Sequence, residues 1–228
     1  MNLWETRNLA IGSLQRELRA EADLLDEGFQ LLEDIAQKLF AVDPQTPFVR
    51  ITALTAVKAR NLLHCSYSLA LDGHAQESGA IARVFVEAVE LLAYLNTDPT
   101  RVSEAIDNRL PSAGERAKKI EGCLKQLREH WNVHASHFQA TYESMSHILD
   151  LSAGKLVARQ QFKASVLRTN LKHLFVFLLW ACLESLRSLA ESTSDPQETL
   201  AFALEHLRQE GFKSFSVVQN FLGSGLEI

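Results

Sequence analysis

The scarcity of residues that interrupt helices constrains this chain more than any other feature. Only 10 Gly and 5 Pro occur in 228 residues, a smaller share than these two residues have in an average protein. The aliphatic residues are mainly helix formers, with 36 Leu and 26 Ala against 13 Val and 8 Ile. The sequence therefore predicts an all-α protein built from long helices.

Capping and turn signals divide these helices at short intervals. Thr46 with Pro47 marks a helix start, and Ser112 with Glu115 forms a capping box that starts another. Other breaks are predicted at Asp72-Gly73, at residues 96–99, near Gly154 and at residues 194–196. Connections this short favour neighbouring helices that alternate in direction. We expect one domain over residues 1–228, an up-and-down bundle of long antiparallel helices.

The first segment, roughly residues 3–40, is predicted to be one helix with a heptad seam. Its apolar residues repeat with alternating spacings of four and three, at Leu18, Ala22, Leu25, Phe29, Leu32, Ala36 and Leu39. The other faces of this helix are mainly acidic. Such a seam must pack on another helix, either within the chain or across a dimer. We predict a homodimer that forms through this seam.

The charge pattern excludes a general affinity for polyanions. The net charge is −5, so the whole molecule does not attract nucleic acid or anionic lipid. Residues 151–183 nevertheless carry five bases and no acid, namely Lys155, Arg159, Lys163, Arg168 and Lys172. This segment is either an RNA-binding surface or the electrostatic complement of the acidic first helix. The second interpretation is favoured, because Lys163 and Arg168 project in different directions on a helix.

The sequence also predicts a cytoplasmic protein without a cofactor. The longest apolar run, residues 174–183, is about half the length of a membrane span, so no membrane association is expected. Three widely spaced cysteines indicate free thiols in a reducing compartment. Gly-rich phosphate loops, dinucleotide fingerprints and Cys-x2-Cys pairs are lacking in the sequence.

One predicted helix, residues 78–95, carries a single polar stripe. Arg83, Glu87, Glu90 and Tyr94 fall within about 60° of one another on a helix that is otherwise apolar or small. Arg83 and Glu87 have the spacing of an ion pair, which gives the stripe a structural interpretation. The functional interpretation is a polar pocket inside the bundle, to which His137 would contribute.

The segment around residues 128–137 is the densest cluster of reactive side chains. His130, His134 and His137 share one helical face. His130 and His137 lie about 10 Å apart along the axis, too far for both to bind one ion. A zinc site would therefore need one His pair plus Glu87, Glu90 or His64 from another helix. No metal is predicted.

Part of the chain, roughly residues 50–150, resembles bacterial helical families of unknown function. The resemblance rests on Arg83-x3-Glu87, on Tyr94-Leu95 and Asp98-Pro99, and on residues 131–137. Several of these families are distantly similar to HEPN domains, whose active members are metal-independent ribonucleases. The resemblance implies an Arg-x4-6-His motif that faces its twin across a dimer.

Two segments fit the spacing of that ribonuclease motif. They are Arg128-x5-His134 and Arg168-x4-His173. The resemblance implies that Arg128 holds the scissile phosphate and that His134 is the acid/base, because this pair lies inside the resembling region. Glu129 follows Arg128, at a position where active members usually have Asn, Asp or His.

Two functional hypotheses of different class follow. The favoured one is a non-enzymatic regulatory or protein-interaction module, in which the stripe and the histidines are structural. The alternative is a HEPN-type endoribonuclease of a toxin or phage-defence system, with Arg128 and His134 as its working pair. RNA is a partner only under this alternative.

Overall fold

A computed structural model describes residues 3–120, 149–150, 154–156 and 162–193. Its helices are α1 (Leu3–Leu14), α2 (Arg19–Ala41), α3 (Pro47–Leu71), α4 (Ala75–Thr97), a 3-10 turn (Pro99–Arg101), α5 (Val102–Ile106), α6 (Ala113–Lys119) and α7 (Ala164–Ser192). Two short strands, β1 (Leu149–Asp150) and β2 (Lys155–Leu156), pair antiparallel. The prediction of an all-α fold is confirmed.

Helices α2, α3 and α4 alternate in direction. The ion pair between Glu33 and Arg60 and the ring contact between Phe29 and Tyr67 join α2 to α3 in antiparallel order. Buried hydroxyl hydrogen bonds between Ser66 and Ser78 then join α3 to α4 across their short connection. The first three long helices are therefore the up-and-down arrangement that their short loops predict.

Helix α7 runs in the same direction as α2 and α4. Strict alternation gives this direction when the predicted helix from Ser112 toward residue 148 is counted between α4 and α7, and most of that helix lies outside the described residues. Arg168 contacts Glu21 near the start of both helices, and Leu178 packs beside Gly28 about two to three turns further along each. The contacts between α7 and α4 also progress in the same direction along both helices. Phe85 packs against Phe177, and the end of α4 packs against the last turns of α7. Among the four long helices in the described ranges, α3 is antiparallel to the other three.

The predicted first helix is two helices, and its seam is buried within the chain. α1 ends at Leu14 and α2 begins at Arg19, where the backbone N–H of Leu18 donates to the Ser13 carbonyl. Gly12 and Ser13 are adjacent weak helix formers, a pairing at which helices commonly bend. The seam leucines Leu18, Leu25, Leu32 and Leu39 are fully buried against α3 and α7. A homodimer would therefore need a surface other than this seam.

A small second core closes the end of the bundle where α4 finishes. Phe48, Tyr94 and Leu95 are buried there, with Val102 and Leu110 packed partly against them. The turn after α4 and the helices α5 and α6 thus fold back onto the end of α4.

Candidate functional site

Of the four residues of the polar stripe on α4, two form an accessible ion pair and the other two are buried. Arg83 and Glu87 approach to 3.5 Å between Nε and Oε1, and each side chain is about one-third exposed. The predicted ion pair at this spacing is therefore present, at the edge of the bundle. Glu90 and Tyr94 are instead completely buried. Arg83 and Tyr94 are separated by about 16 Å of helix.

Tyr94 joins α4 to the segments that follow it. Its hydroxyl donates to Glu104 Oε2 at 2.7 Å and accepts from Lys119 Nζ at 3.5 Å. The Arg101 guanidinium lies 4.6 Å from the ring centroid. Burial raises the pKa of Tyr94, and the hydrogen bond to Glu104 raises it further. A phenol in this state keeps its proton, which suits a structural hydrogen bond better than acid/base catalysis.

A second polar cluster, which the sequence did not reveal, lies buried between α4 and α7. Asn96 Nδ2 donates to the Glu184 carboxylate and to the Glu184 carbonyl, at 2.9 Å in both cases. Ser188 donates to Asn96 Oδ1 at 2.7 Å, and Arg187 donates to Glu184 at 3.0 Å. The Asn96 amide, the Glu184 carboxylate and the Ser188 hydroxyl all form hydrogen bonds within this cluster, so the cluster fixes the register of α7 on α4.

The sequence feature that could have indicated this cluster is a charged residue inside an apolar helix. Glu184 directly follows the longest apolar run of the chain, and a carboxylate in such a helix needs a hydrogen-bonding partner. Its partner Asn96 is 88 residues away, so spacing could not identify it.

An ion pair joins the acidic α2 to the basic segment. Arg168 Nε lies 3.1 Å from Glu21 Oε1, and Arg168 Nη2 donates to the Glu17 carbonyl at 3.2 Å. This contact supports the interpretation of the basic segment as the complement of α2. Lys163 is exposed beside it, whereas Arg159 lies outside the described residues.

The histidine cluster also lies outside the described residues. This holds for Arg128, His130, His134 and His137, so the geometry of the ribonuclease pair and the place of His137 remain predictions. His64 packs edge-on against Phe29, with ring centroids 6.1 Å apart. Among the residues that the structure describes, no group of three or more His, Cys, Asp or Glu side chains is arranged to hold a metal ion.

The outer face of α7 exposes large apolar side chains. Leu179 is 41% exposed and Leu183 is 54% exposed, while Val176, Leu186 and Ala190 on the same face are half-buried. We call these five residues the α7 stripe. Elsewhere α7 packs on α2, α3 and α4. A helix packed on one side normally presents polar side chains to water on the other, whereas this face of α7 exposes two leucines one turn apart, with the exposed Arg187 one turn after Leu183.

Within the described part of the chain, α7 is the helix long and apolar enough to cross a membrane. Of its most apolar 18-residue window, 56% is buried inside the protein. The core helix of a bundle meets the same criteria of length and composition.

No protein-family model, curated protein or solved structure matches the chain. The likeness to HEPN-type families therefore stays a prediction. The contacts of the chain's own residues are the basis for a functional assignment.

Proposed function

We propose that the protein is a non-enzymatic protein-interaction module that binds through the α7 stripe. The exposure of Leu179 and Leu183 on a helix that is otherwise packed carries this proposal. Burying a leucine side chain completely is worth about 1.5–3 kcal/mol. Two adjacent, half-exposed leucines therefore offer a partner substantial binding energy.

The outer face of α3 provides the contrast. Leu54 is 60% exposed there, more than either leucine of the stripe. Its neighbours on that face are the exposed polar residues Arg50, Lys58 and Asn61. A single apolar side chain among polar ones is ordinary on a protein surface, whereas a continuous stripe is not.

The contacts of the polar clusters agree with a structural role for them. Arg83 pairs with Glu87, Tyr94 donates to Glu104, and Glu184 accepts from Asn96. Ion pairs and buried hydrogen bonds of this kind shift the pKa values of their members and fix helix register, and neither effect requires a catalytic role. In this proposal α4 is a scaffold that positions α7.

Site-specific photo-crosslinking in cells that make the protein tests the proposal. We expect a discrete protein adduct when position 183 carries p-benzoylphenylalanine, and loss of this adduct when Leu179→Glu is added. Position 54 is the matched control, because it is at least as exposed as position 183 but lies outside the stripe. Equal labelling at positions 183 and 54 would contradict the proposal.

An RNA-cleavage assay separates this proposal from the ribonuclease alternative. We expect purified wild-type protein and His134→Ala to be equally inactive on structured and unstructured RNA. Circular dichroism checks that the variant is folded. Cleavage by the wild type that disappears in a folded His134→Ala variant would replace our proposal with the HEPN-type enzyme.

A further inference from the structure

Helix α1 folds back over the end of the bundle instead of extending α2. Phe29 of α2 stacks on Tyr67 of α3, with ring centroids 6.4 Å apart, so the end of α3 is level with α2 about five residues before Phe29. A straight extension of α2 would place Arg7 about 25 Å beyond that level. Arg7 instead donates to both carboxylate oxygens of Asp72, at 2.6 Å each. The chain therefore turns sharply between α1 and α2, at residues 15–18.

The local sequence does not encode this turn. Residues 15–18 are Gln, Arg, Glu and Leu, which are all strong helix formers. Leu18 stands at the N-cap of α2 and makes no side-chain cap hydrogen bond. Gly12 and Ser13 weaken the helix just before the turn, but they lie within the range that α1 spans or in its last turn. Local preference therefore favours one continuous helix over residues 3–41, and the tertiary contacts of α1 favour the turn.

Two exposed apolar side chains of α1 fit the continuous helix. Ile11 and Trp4 stand seven and fourteen residues before Leu18, the first leucine of the buried seam, so a straight helix places them in line with that seam. In the bent form Trp4 is 63% exposed and Ile11 is 39% exposed. The side chains that α1 buries are mainly small, namely Thr6, Ala10 and Ser13. The straight form thus carries an apolar row beyond the end of its own bundle, where a second chain can cover it.

Straightening would also open the site on α3 to which α1 binds. Ser68 Oγ accepts from Arg7 Nη2 at 2.7 Å, beside the two bonds to Asp72. The Arg7 and Asp72 side chains are each less than one-third exposed. Helix α1 of a second copy fits this open site, because it carries the same residues as the helix that left. Exchange of an identical element between two copies restores every contact of that element and needs no new surface.

We propose that two copies of this chain exchange α1. In this dimer α1 and α2 form one continuous helix, and Arg7 of each copy binds Asp72 of the other copy. The bond from Arg168 to the Glu17 carbonyl belongs to the bent form, whereas helical hydrogen bonds across residues 15–18 belong to the straight form, so each form has bonds that the other lacks. The exchange is independent of the α7 stripe and of the function proposed for it.

A mixture of two charge-reversed variants tests the exchange. Arg7→Asp and Asp72→Arg each place like charges at the α1–α3 contact, both within a chain and between identical chains. In a mixed dimer with exchanged helices, both contacts again join an arginine to an aspartate. We expect an equimolar mixture, refolded together from urea, to sediment at twice the 25.5 kDa chain mass. Its dissociation constant should be at least about 10-fold below that of either variant alone.

Two controls accompany this mixture. The double variant carries both changes in one chain, so it should form the same dimer as the wild type and shows that the reversed bond is sound. Arg19→Asp with Asp23→Arg is the matched control mixture. Arg19 and Asp23 pair at 3.7 Å within α2, so mixing brings no separated partners together and should leave the dissociation constant unchanged.

A longer turn is a second test, which leaves the α1–α3 contact intact. Gln15 and Arg16 are exposed, and insertion of Gly-Ser-Gly-Ser between them interrupts the continuous helix while α1 can still reach its own α3. Lengthening a short hinge disfavours exchange. We expect the wild type to be a dimer and the insertion variant a monomer at about 200 µM, well above a micromolar dissociation constant.

Three results would overturn the inference. The first is wild-type protein that stays monomeric at this concentration after refolding from urea. The second is a dimer that the insertion does not weaken, because such a dimer does not depend on the turn. The third is a variant mixture that stays monomeric although the double variant dimerises. If the double variant itself does not dimerise, the comparison of the wild type with the insertion variant decides.

Discussion

At the scale of single residues, the absence of a side chain at Gly28 sets the distance between α2 and α7. A Cβ atom on Gly28 would lie 2.5 Å from Leu178 Cδ2 and 3.0 Å from Leu178 Cγ. Leu178 is fully buried, so it has little room to move away. Gly28 therefore permits α2 and α7 to pack at close range despite its low helix propensity.

Gly28→Ala is expected to destabilise the protein by about 1–2 kcal/mol. Overpacking of a core costs about 1–3 kcal/mol, and the better helix propensity of alanine returns less than about 1 kcal/mol. Urea denaturation measures the change. In a Leu178→Ala background the clashing atoms are absent, so the same substitution should cost nothing there.

Gly114→Ala is the matched control for this substitution. No atom lies within 4 Å of a Cβ at this helical position. The free energy of unfolding should rise slightly or stay unchanged. An equal loss of stability at positions 28 and 114 would show that contact with Leu178 is not the cause.

The buried cluster around Asn96 is the second residue-scale determinant. Asn96→Ala removes one partner of the Glu184 carboxylate and one partner of the Ser188 hydroxyl at once. We expect a loss of about 2–4 kcal/mol in the free energy of unfolding, because a buried carboxylate loses a hydrogen bond. Asn61→Ala, at an exposed asparagine of α3, should change stability by less than about 0.5 kcal/mol.

Local contacts were predictable from the sequence at this scale, and distant ones were not. The Arg83–Glu87 ion pair, the Thr46 cap and the Ser112–Glu115 capping box all join residues within one helical turn. The Asn96–Glu184 contact depends on how α7 returns to α4, which no local pattern encodes.

At the scale of elements, helix ends followed from cap and turn chemistry. α3 begins at Pro47 and ends at Leu71, as the sequence predicts, and α4 ends before Asp98-Pro99. The division between α1 and α2 was missed, although the heptad seam itself starts at Leu18, next to the first residue of α2. There the Ser13 carbonyl accepts from Leu18 N–H, and a turn replaces the helix.

A bidentate ion pair anchors the separate helix α1. Arg7 donates from Nε and Nη2 to the two oxygens of Asp72, at 2.6 Å each, and from Nη2 to Ser68 Oγ at 2.7 Å. These bonds attach α1 to the end of α3. Planar, charge-assisted pairs of this type are stronger than single hydrogen bonds.

Arg7→Ala should release α1 from α3 without unfolding the bundle. Hydrogen exchange followed by mass spectrometry should show faster exchange in residues 3–14 and unchanged exchange in α4, because local opening of α1 needs fewer broken contacts. Arg16→Ala is the control, since Arg16 is exposed and its ion pair is with the adjacent Glu17 rather than with α3. Unchanged exchange in α1 would show that apolar contacts alone hold it.

At the scale of the whole molecule, the direction of α7 is the one that alternation gives when the predicted helix starting at Ser112 lies between α4 and α7, but no local pattern fixes it. Short loops dictate the antiparallel order of α2, α3 and α4. The connection from α4 to α7 is 66 residues long, so it allows either direction. Side-chain pairs such as Arg168 with Glu21 and Asn96 with Glu184 then select the parallel one.

Double spin labelling measures this direction in solution. Thr97, Ser165 and Glu191 are exposed, so cysteines placed there accept labels without disturbing the core, in a background with Cys65→Ser and Cys123→Ser. Because α7 is parallel to α4, position 97 should lie near position 191 and farther from position 165 by about 30 Å. Pulsed electron paramagnetic resonance resolves such a difference. The reverse order of the two distances would mean that α7 is antiparallel to α4, against the direction that the contacts of Arg168 and Asn96 give.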